Sequence, residues 1–223
     1  MIKTDLNIYA VIEMTAWQFD EDFELNDNEN YEEKTIQLFK DNGIQNISSL
    51  DPHAYSSIKI SALLNHNDLS ILVQRELQDC KIYKEGLESA GPFSGGLVFQ
   101  WENNQFLAHQ CCGSISDYQT WVKFIKKNPS TWDQIWIGHP WIYAKVTNGV
   151  VEISDRIEHS GTVDESELTT LVQFELEDFK QKLSHVVNEI KLLKQRITTI
   201  LEHQNNIYKK ELPNLLIDNI RKD

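Results

Sequence analysis

The 223-residue sequence predicts an α+β protein, with a mainly antiparallel sheet packed against helices and a long C-terminal amphipathic helix. Three observations carry that expectation. Two pairs of β-rich runs are joined at residues 103–104 and 148–149 by connections too short for a parallel crossover. Between the strand-like runs lie stretches with capping residues and apolar side chains spaced by three and four. From Val172 onward the apolar residues repeat as heptads, with no Gly or Pro between Thr162 and Lys210. The expectation is a single domain over 1–223, with the helix occupying 164–210 and either folding back or projecting.

Taken in order, residues 5–19 (DLNIYAVIEMTAWQF) are rich in β-branched and aromatic side chains, and Leu6, Ile8, Ala10, Ile12 and Met14 alternate, which reads as the first strand. An acidic loop follows, and then YEEKTIQLFKDNG reads as a helix with Ile36 and Phe39 inward and Gly43 at its end. Asp51-Pro52 reads as a helix start, with Ile58, Ile60, Leu63 and Leu64 along its apolar side. Asn67 reads as the cap of another helix, whose stripe is Leu69, Leu72, Val73, Leu77 and Cys80. Residues 86–96, GLESAGPFSGG, form a connector.

The stretch from Gly95 to Val151 holds five of the six tryptophans, two of the three cysteines and five of the nine glycines. In it, LVFQW and QFLAHQC flank Asn103-Asn104 as a hairpin, and Ser116 with Gln119 forms a capping box ahead of YQTWVKFIKKN. Thr147-Asn148-Gly149-Val150 is the strongest hairpin signal and sets WIYAKV against VVEISDRI. These runs and the first strand are expected to share one sheet. Beyond it, Thr162 with Glu165 offers a capping box, and Val172, Leu176, Phe179, Leu183, Val186, Ile190, Leu193, Ile197, Ile200 and Ile207 form the long stripe.

Composition narrows the function classes. The start of the chain lacks a basic region followed by an apolar run, and no stretch is apolar enough to span a bilayer, so the expected setting is cytoplasmic, without membrane contact. Three cysteines, two of them adjacent, make a poor disulfide framework. Of the net charge of −13, residues 13–33 contribute nine negative charges and no positive one. That balance argues against direct nucleic-acid binding, which needs clustered Lys and Arg, and favours a basic protein partner. Asp20, Glu21, Asp22, Glu24 and Asp27, interleaved with Phe19, Phe23, Leu25 and Tyr31, are the candidate contact surface.

His109, Cys111, Cys112 and His139 are the residue types of a zinc site, but adjacent strand residues face opposite ways and the usual two-residue gap is missing, so no metal and no cofactor is expected. A cysteine hydrolase would use Cys111 or Cys112 as nucleophile, His109 or His139 as base and Asp117 as orienter, but no hydrolase signature surrounds them. Gly138-His139-Pro140 reads as a bulge between Trp136 and Trp141, and it would expose His139 or Trp141 to a partner. A third alternative is a scaffold, a homodimer through the C-terminal stripe.

The run Ser94-Gly95-Gly96, the hairpin end His109-Gln110-Cys111-Cys112-Gly113, the segment Ser116-Asp117 to Trp121 and Trp136-Ile137-Gly138-His139-Pro140-Trp141 together resemble bacterial toxin-immunity proteins, including those of contact-dependent growth inhibition. The resemblance extends over roughly 50 of the 223 residues, the stretch that those motifs span, and is tied to no catalytic signature. It implies a non-catalytic protein that binds and neutralises one cognate toxin domain, often a nuclease. The candidate partner-binding residues are then Asp20, Glu21, Asp22, Phe23, Glu24, Asp27, His139 and Trp141.

Overall fold

A computed structural model describes residues 2–20, 22–24, 30–49, 56–64, 67–102, 105–158 and 163–220. Asn103-Asn104, Asp51-Pro52, Thr162, Glu21 and Asp27, all singled out above, lie outside the described residues. In chain order come β1 (Ile2–Lys3), β2 (Asn7–Met14), α1 (Tyr31–Asp41), β3 (Ser48–Ser49), β4 (Ser56–Lys59), α2 (Ile60–Leu63), α3 (Asp68–Asp79) and α4 (Ile82–Glu85). Then follow β5 (Gly95–Trp101), β6 (Gln105–Ala108), α5 (Tyr118–Lys127), β7 (Asp133–Ile135), β8 (Ile142–Thr147), β9 (Val150–Ser154), β10 (Thr170–Glu175), α6 (Leu176–His203) and α7 (Leu212–Asp218).

The fold is α+β. One sheet is mixed, ordered β1-β10-β9-β8-β7, and the other is antiparallel, ordered β3-β4-β2-β5-β6. The strands of the Gly95–Val151 stretch therefore do not share one sheet: β5 and β6 join the sheet of β2, while β7, β8 and β9 join β10. The pairing is mainly antiparallel, as expected, with β1 the parallel exception: it runs beside β10 with Ile2 opposite Gln173. The chain divides into two compact units, Met1–Ala10 with Gly96–Asn188 and Val11–Gly95 with Glu189–Asp223, so that β2, β5 and α6 each pass from one into the other.

The first unit is built on aromatic packing. Phe99 of β5 lies 4.6 Å from the Trp121 ring of α5 and stacks on Phe179 of α6 at 5.7 Å. Phe174 of β10 meets Phe179 at 6.3 Å and Trp101 at 5.9 Å. Such pairs contribute about 0.5–1.5 kcal/mol each beyond area burial, and Phe99, Trp121, Phe174 and Phe179 are all almost completely buried. The β8–β9 turn forms as expected, with Thr147 opposite Val150 and both Asn148 (φ 51°) and Gly149 (φ 77°) left-handed, the geometry that Asn-Gly suits. The capping box before α5 is displaced from the expected one. Ser114 and Asp117 close it around a 3-10 turn at Ile115–Asp117, with Ser114 N–H donating to Asp117 Oδ2 at 2.8 Å. Ser116 sits inside that turn, because a single tight turn precedes the α-helix.

In the second unit the described residues of the run expected as a helix after Asp51-Pro52 form strand and then one helical turn. Ile58 lies in β4 opposite Ile12 of β2, and among the described residues of that run Ile60–Leu63 is helical. A β-branched residue opposite another on a buried ladder outweighs a loose helical spacing. α1 is capped by Asn30, whose side chain accepts from Glu32 and Glu33 N–H. At α3 the Asn67 side chain makes no cap bond. Buried Asp68 uses its carboxylate to hold the preceding loop, accepting from the N–H groups of Gln45 at 3.0 Å and Asn46 at 3.2 Å. Cys80 is half-buried at the end of α3 rather than inside its stripe.

The long helix also differs from 164–210. Val172 belongs to β10, and α6 begins at Leu176 and ends at His203. Alternation in Thr170–Glu175, with Val172 and Phe174 buried, is compatible with the four-residue step from Val172 to Leu176, so the heptad count ran straight across a strand-to-helix junction. Phe179, Leu183, Val186, Ile190, Leu193, Ile197 and Leu201 are buried in a single copy of the chain, whereas Ile207 is 77% exposed. Asn205 at φ 51° reverses the chain, and α7 returns with Asp218 paired to Lys194 of α6. The helix folds back within the polar stretch instead of continuing.

Candidate interaction site

Of the acidic segment, Asp20 and Asp22–Glu24 are described, and a buried aromatic side chain anchors them. After β2, Thr15 N–H donates to Gln18 Oε1 at 3.0 Å and closes a 3-10 turn at Ala16–Gln18. Asp20 then accepts twice, its side chain from Asp22 N–H at 3.1 Å and its carbonyl from Phe23 N–H at 3.2 Å. Phe23 is 3% exposed, edge-on to Trp17 at 5.9 Å and to Tyr31 at 5.8 Å, with Lys34 Nζ 5.4 Å from its ring. Phe23 is therefore an anchor for the segment itself, and the large apolar side chain beside it that faces solvent is Trp17, 55% exposed. Asp20, Asp22 and Glu24 are exposed around it.

Beside Trp17 opens a cleft of about 420 Å³ bounded by Asp20, Arg75, Gln78, Asp79 and Lys81. The Arg75 guanidinium lies 5.3 Å from the Phe19 ring and donates to Asn42 Oδ1 at 2.9 Å, so it is held as part of the wall. Trp17 lies past the end of β2, in the 3-10 turn, and not in the strand expected over residues 5–19.

His139 and Trp141 belong to the first unit and are half-buried. Their segment is held by backbone on both sides. Gln110 N–H donates to Ile137 O at 2.6 Å, His139 N–H to Cys111 O at 3.0 Å, and Trp141 and Ile157 exchange bonds of 3.0 and 2.8 Å. Gly138 (φ 98°) is required there, since a Cβ would fall 2.4 Å from the Cys111 carbonyl oxygen and 2.5 Å from that of Gln110. The His139–Pro140 peptide is cis. The His139 ring packs edge-on to Trp141 at 4.3 Å, and Trp141 lies 6.1 Å from Trp136, which is 37% exposed.

The residues of the thiol-hydrolase reading are positioned as follows. Cys111 and Cys112 are exposed, and the Cys111 thiol donates to the His139 carbonyl at 3.1 Å, while His139 Nε2 meets the Glu158 carbonyl at 3.2 Å. His109 is buried. Burial pushes the Asp117 carboxyl above its ordinary value, opposed by hydrogen bonds from Ser114 and by the nearby His109. Among the described residues no group of three or more His, Cys, Asp or Glu could hold a metal ion, and no helix is long and apolar enough to cross a membrane.

What these elements define is an α+β chain of two compact units that presents an acidic, tryptophan-bearing surface on the second and a backbone-locked aromatic loop on the first. No family model, curated protein or solved structure matches the chain.

Proposed function

We propose that the chain is an immunity protein of the cytoplasm of a toxin-producing bacterium, which binds and neutralises a basic cognate toxin domain, with nuclease the toxin activity that best fits. The observation that carries this reading is the exposure of Asp20, Asp22 and Glu24 around exposed Trp17, on a segment anchored by buried Phe23. Carboxylates at such a surface accelerate encounter with a basic partner, and an aromatic side chain among them supplies the desolvated contact that holds it. Because the segment is already folded onto Phe23, less conformational freedom is lost on binding. The resemblance of the Ser94 to Trp141 motifs to immunity proteins supports the same reading, and His139 with Trp141 forms a further candidate contact on the first unit.

The test is co-expression with the C-terminal domain of a secreted toxin encoded next to this chain. Growth should be restored by the natural chain and lost when Asp20, Asp22 and Glu24 are changed to lysine in a variant of unchanged circular dichroism. Growth arrest despite the natural chain would exclude neutralisation of that toxin. Full rescue by the triple variant would remove the acidic segment from the interface.

A further inference from the structure

The Cys111-Cys112 pair of the central stretch takes no part in the proposed interface. Gly113 N–H donates to the Gln110 carbonyl at 2.9 Å, so Gln110-Cys111-Cys112-Gly113 is a hydrogen-bonded β-turn with the two cysteines at its central corners. Cys112 has φ 65°, the conformation that the third residue of a type II turn requires and for which glycine is the usual choice. Cys111 bridges His139 as a strand residue does, but left-handed Cys112 interrupts the extended run, so strand alternation does not carry across the pair. Both side chains are exposed.

We propose that this turn is a vicinal dithiol site for a trivalent arsenical. Each thiol condenses with one As–OH group: the S–H and As–O bonds break, an S–As bond forms and water leaves. Arsenic remains trivalent, so no oxidant or reductant is needed. The product is a ring closed through the single peptide bond between the two cysteines. A direct disulfide suits the turn less well, because neighbouring Cα atoms are about 3.8 Å apart across a trans peptide, whereas disulfides span about 4.4–6.8 Å. An inserted arsenic atom lengthens the link. Capture of Cys111 also consumes the S–H that donates to the His139 carbonyl, which couples the site to the His139–Trp141 ring pair. This inference stands independently of the immunity reading.

The probe is phenylarsine oxide added to the reduced full-length protein and followed by intact mass. One adduct should survive excess glutathione, a monothiol, and be stripped by 2,3-dimercaptopropanol. Cys111→Ser and Cys112→Ser should each weaken retention roughly hundredfold, the gain usual for a second linked attachment, while Cys80→Ser retains it fully. Serine at these exposed positions is compatible with folding, which circular dichroism verifies. A wild-type adduct removed by glutathione, or one retained equally by either single variant, overturns the proposal. A loss of two hydrogens on air exposure that blocks the adduct would show that a vicinal disulfide forms instead, and would overturn it too.

Discussion

The segments Asp20–Glu24 and Gly138–Trp141 both carry candidate partner-binding side chains, and they are held in opposite ways. The first rests on a buried ring, Phe23, on short-range bonds within its own turn and on Lys34, which donates to the Glu24 carbonyl, and leaves the Asp20, Asp22 and Glu24 carboxylates in water. The second is bonded through its backbone to Gln110–Cys111 on one side and to Ile157 on the other, with its side chains packed on each other. The difference separates recognition from scaffolding. Substitutions in the first should change binding with little effect on stability, Phe23 excepted, and those in the second should act on stability first.

The largest expected contrast is chemical. Burial and the adjacent Glu76 carboxylate push the Cys80 thiol up from 9.0 to about 12, whereas Cys111 and Cys112 sit exposed next to the locked loop. At pH 8 the raised Cys80 thiol carries roughly a thousandth of the thiolate of an ordinary thiol, so a maleimide should label it far more slowly than the exposed turn cysteines; equal labelling of all three would contradict this. The unfolded thiol ionises from about pH 9 while the folded one keeps its proton, so the stability Cys80 contributes is complete below pH 9 and is lost as pH rises through 12. Denaturation midpoints of the wild type and Cys80→Ala, measured from pH 8 to 10.5, should converge as pH rises.

Phe23→Ala should destabilise the second unit by about 3 kcal/mol, the lower end for a buried phenylalanine, and free the acidic segment for proteolysis near Asp20. A loss below about 1 kcal/mol, a typical surface value, would mean the ring is not the anchor. Gly138→Ala should cost about 2–3 kcal/mol, combining left-handed strain with the clash against two carbonyls. Gly149→Ala, left-handed but with open space around it, should cost only about 1 kcal/mol in chemical denaturation. Equal losses at the two glycines would remove the close backbone approach from the account. Reversing Asp20, Asp22 and Glu24 should change stability by no more than about 0.5 kcal/mol.

The same contrast explains what could be read in advance. The β8–β9 hairpin was legible because Asn148-Gly149 satisfies two positive φ angles locally, and α1 because its cap and its stripe agree. Ile58 and Val172 were misread because short runs of apolar residues fit both periods, and their strand state is decided by the ladder partners Ile12 and Ile153, which are distant in sequence. At the candidate site the charges were visible at once, since exposed carboxylates follow from composition. That Phe23 points inward and Trp17 outward was not visible, because the two aromatics occur in the same polar context and only packing on Tyr31 distinguishes them. The Cys111-Cys112 turn was hidden for a related reason: cysteine is a poor indicator of a left-handed residue, and the backbone bonds to Ile137 and His139 impose it.

The acidic surface of the second unit is proposed as a recognition face for a basic protein. The most direct test is the association rate of the purified chain with its cognate toxin domain as a function of salt, for the wild type and for the variant with lysine at positions 20, 22 and 24. The account predicts fast association that falls steeply with salt in the wild type, and slower association with a flattened salt dependence in the variant. Identical rates and slopes for the two proteins would contradict it.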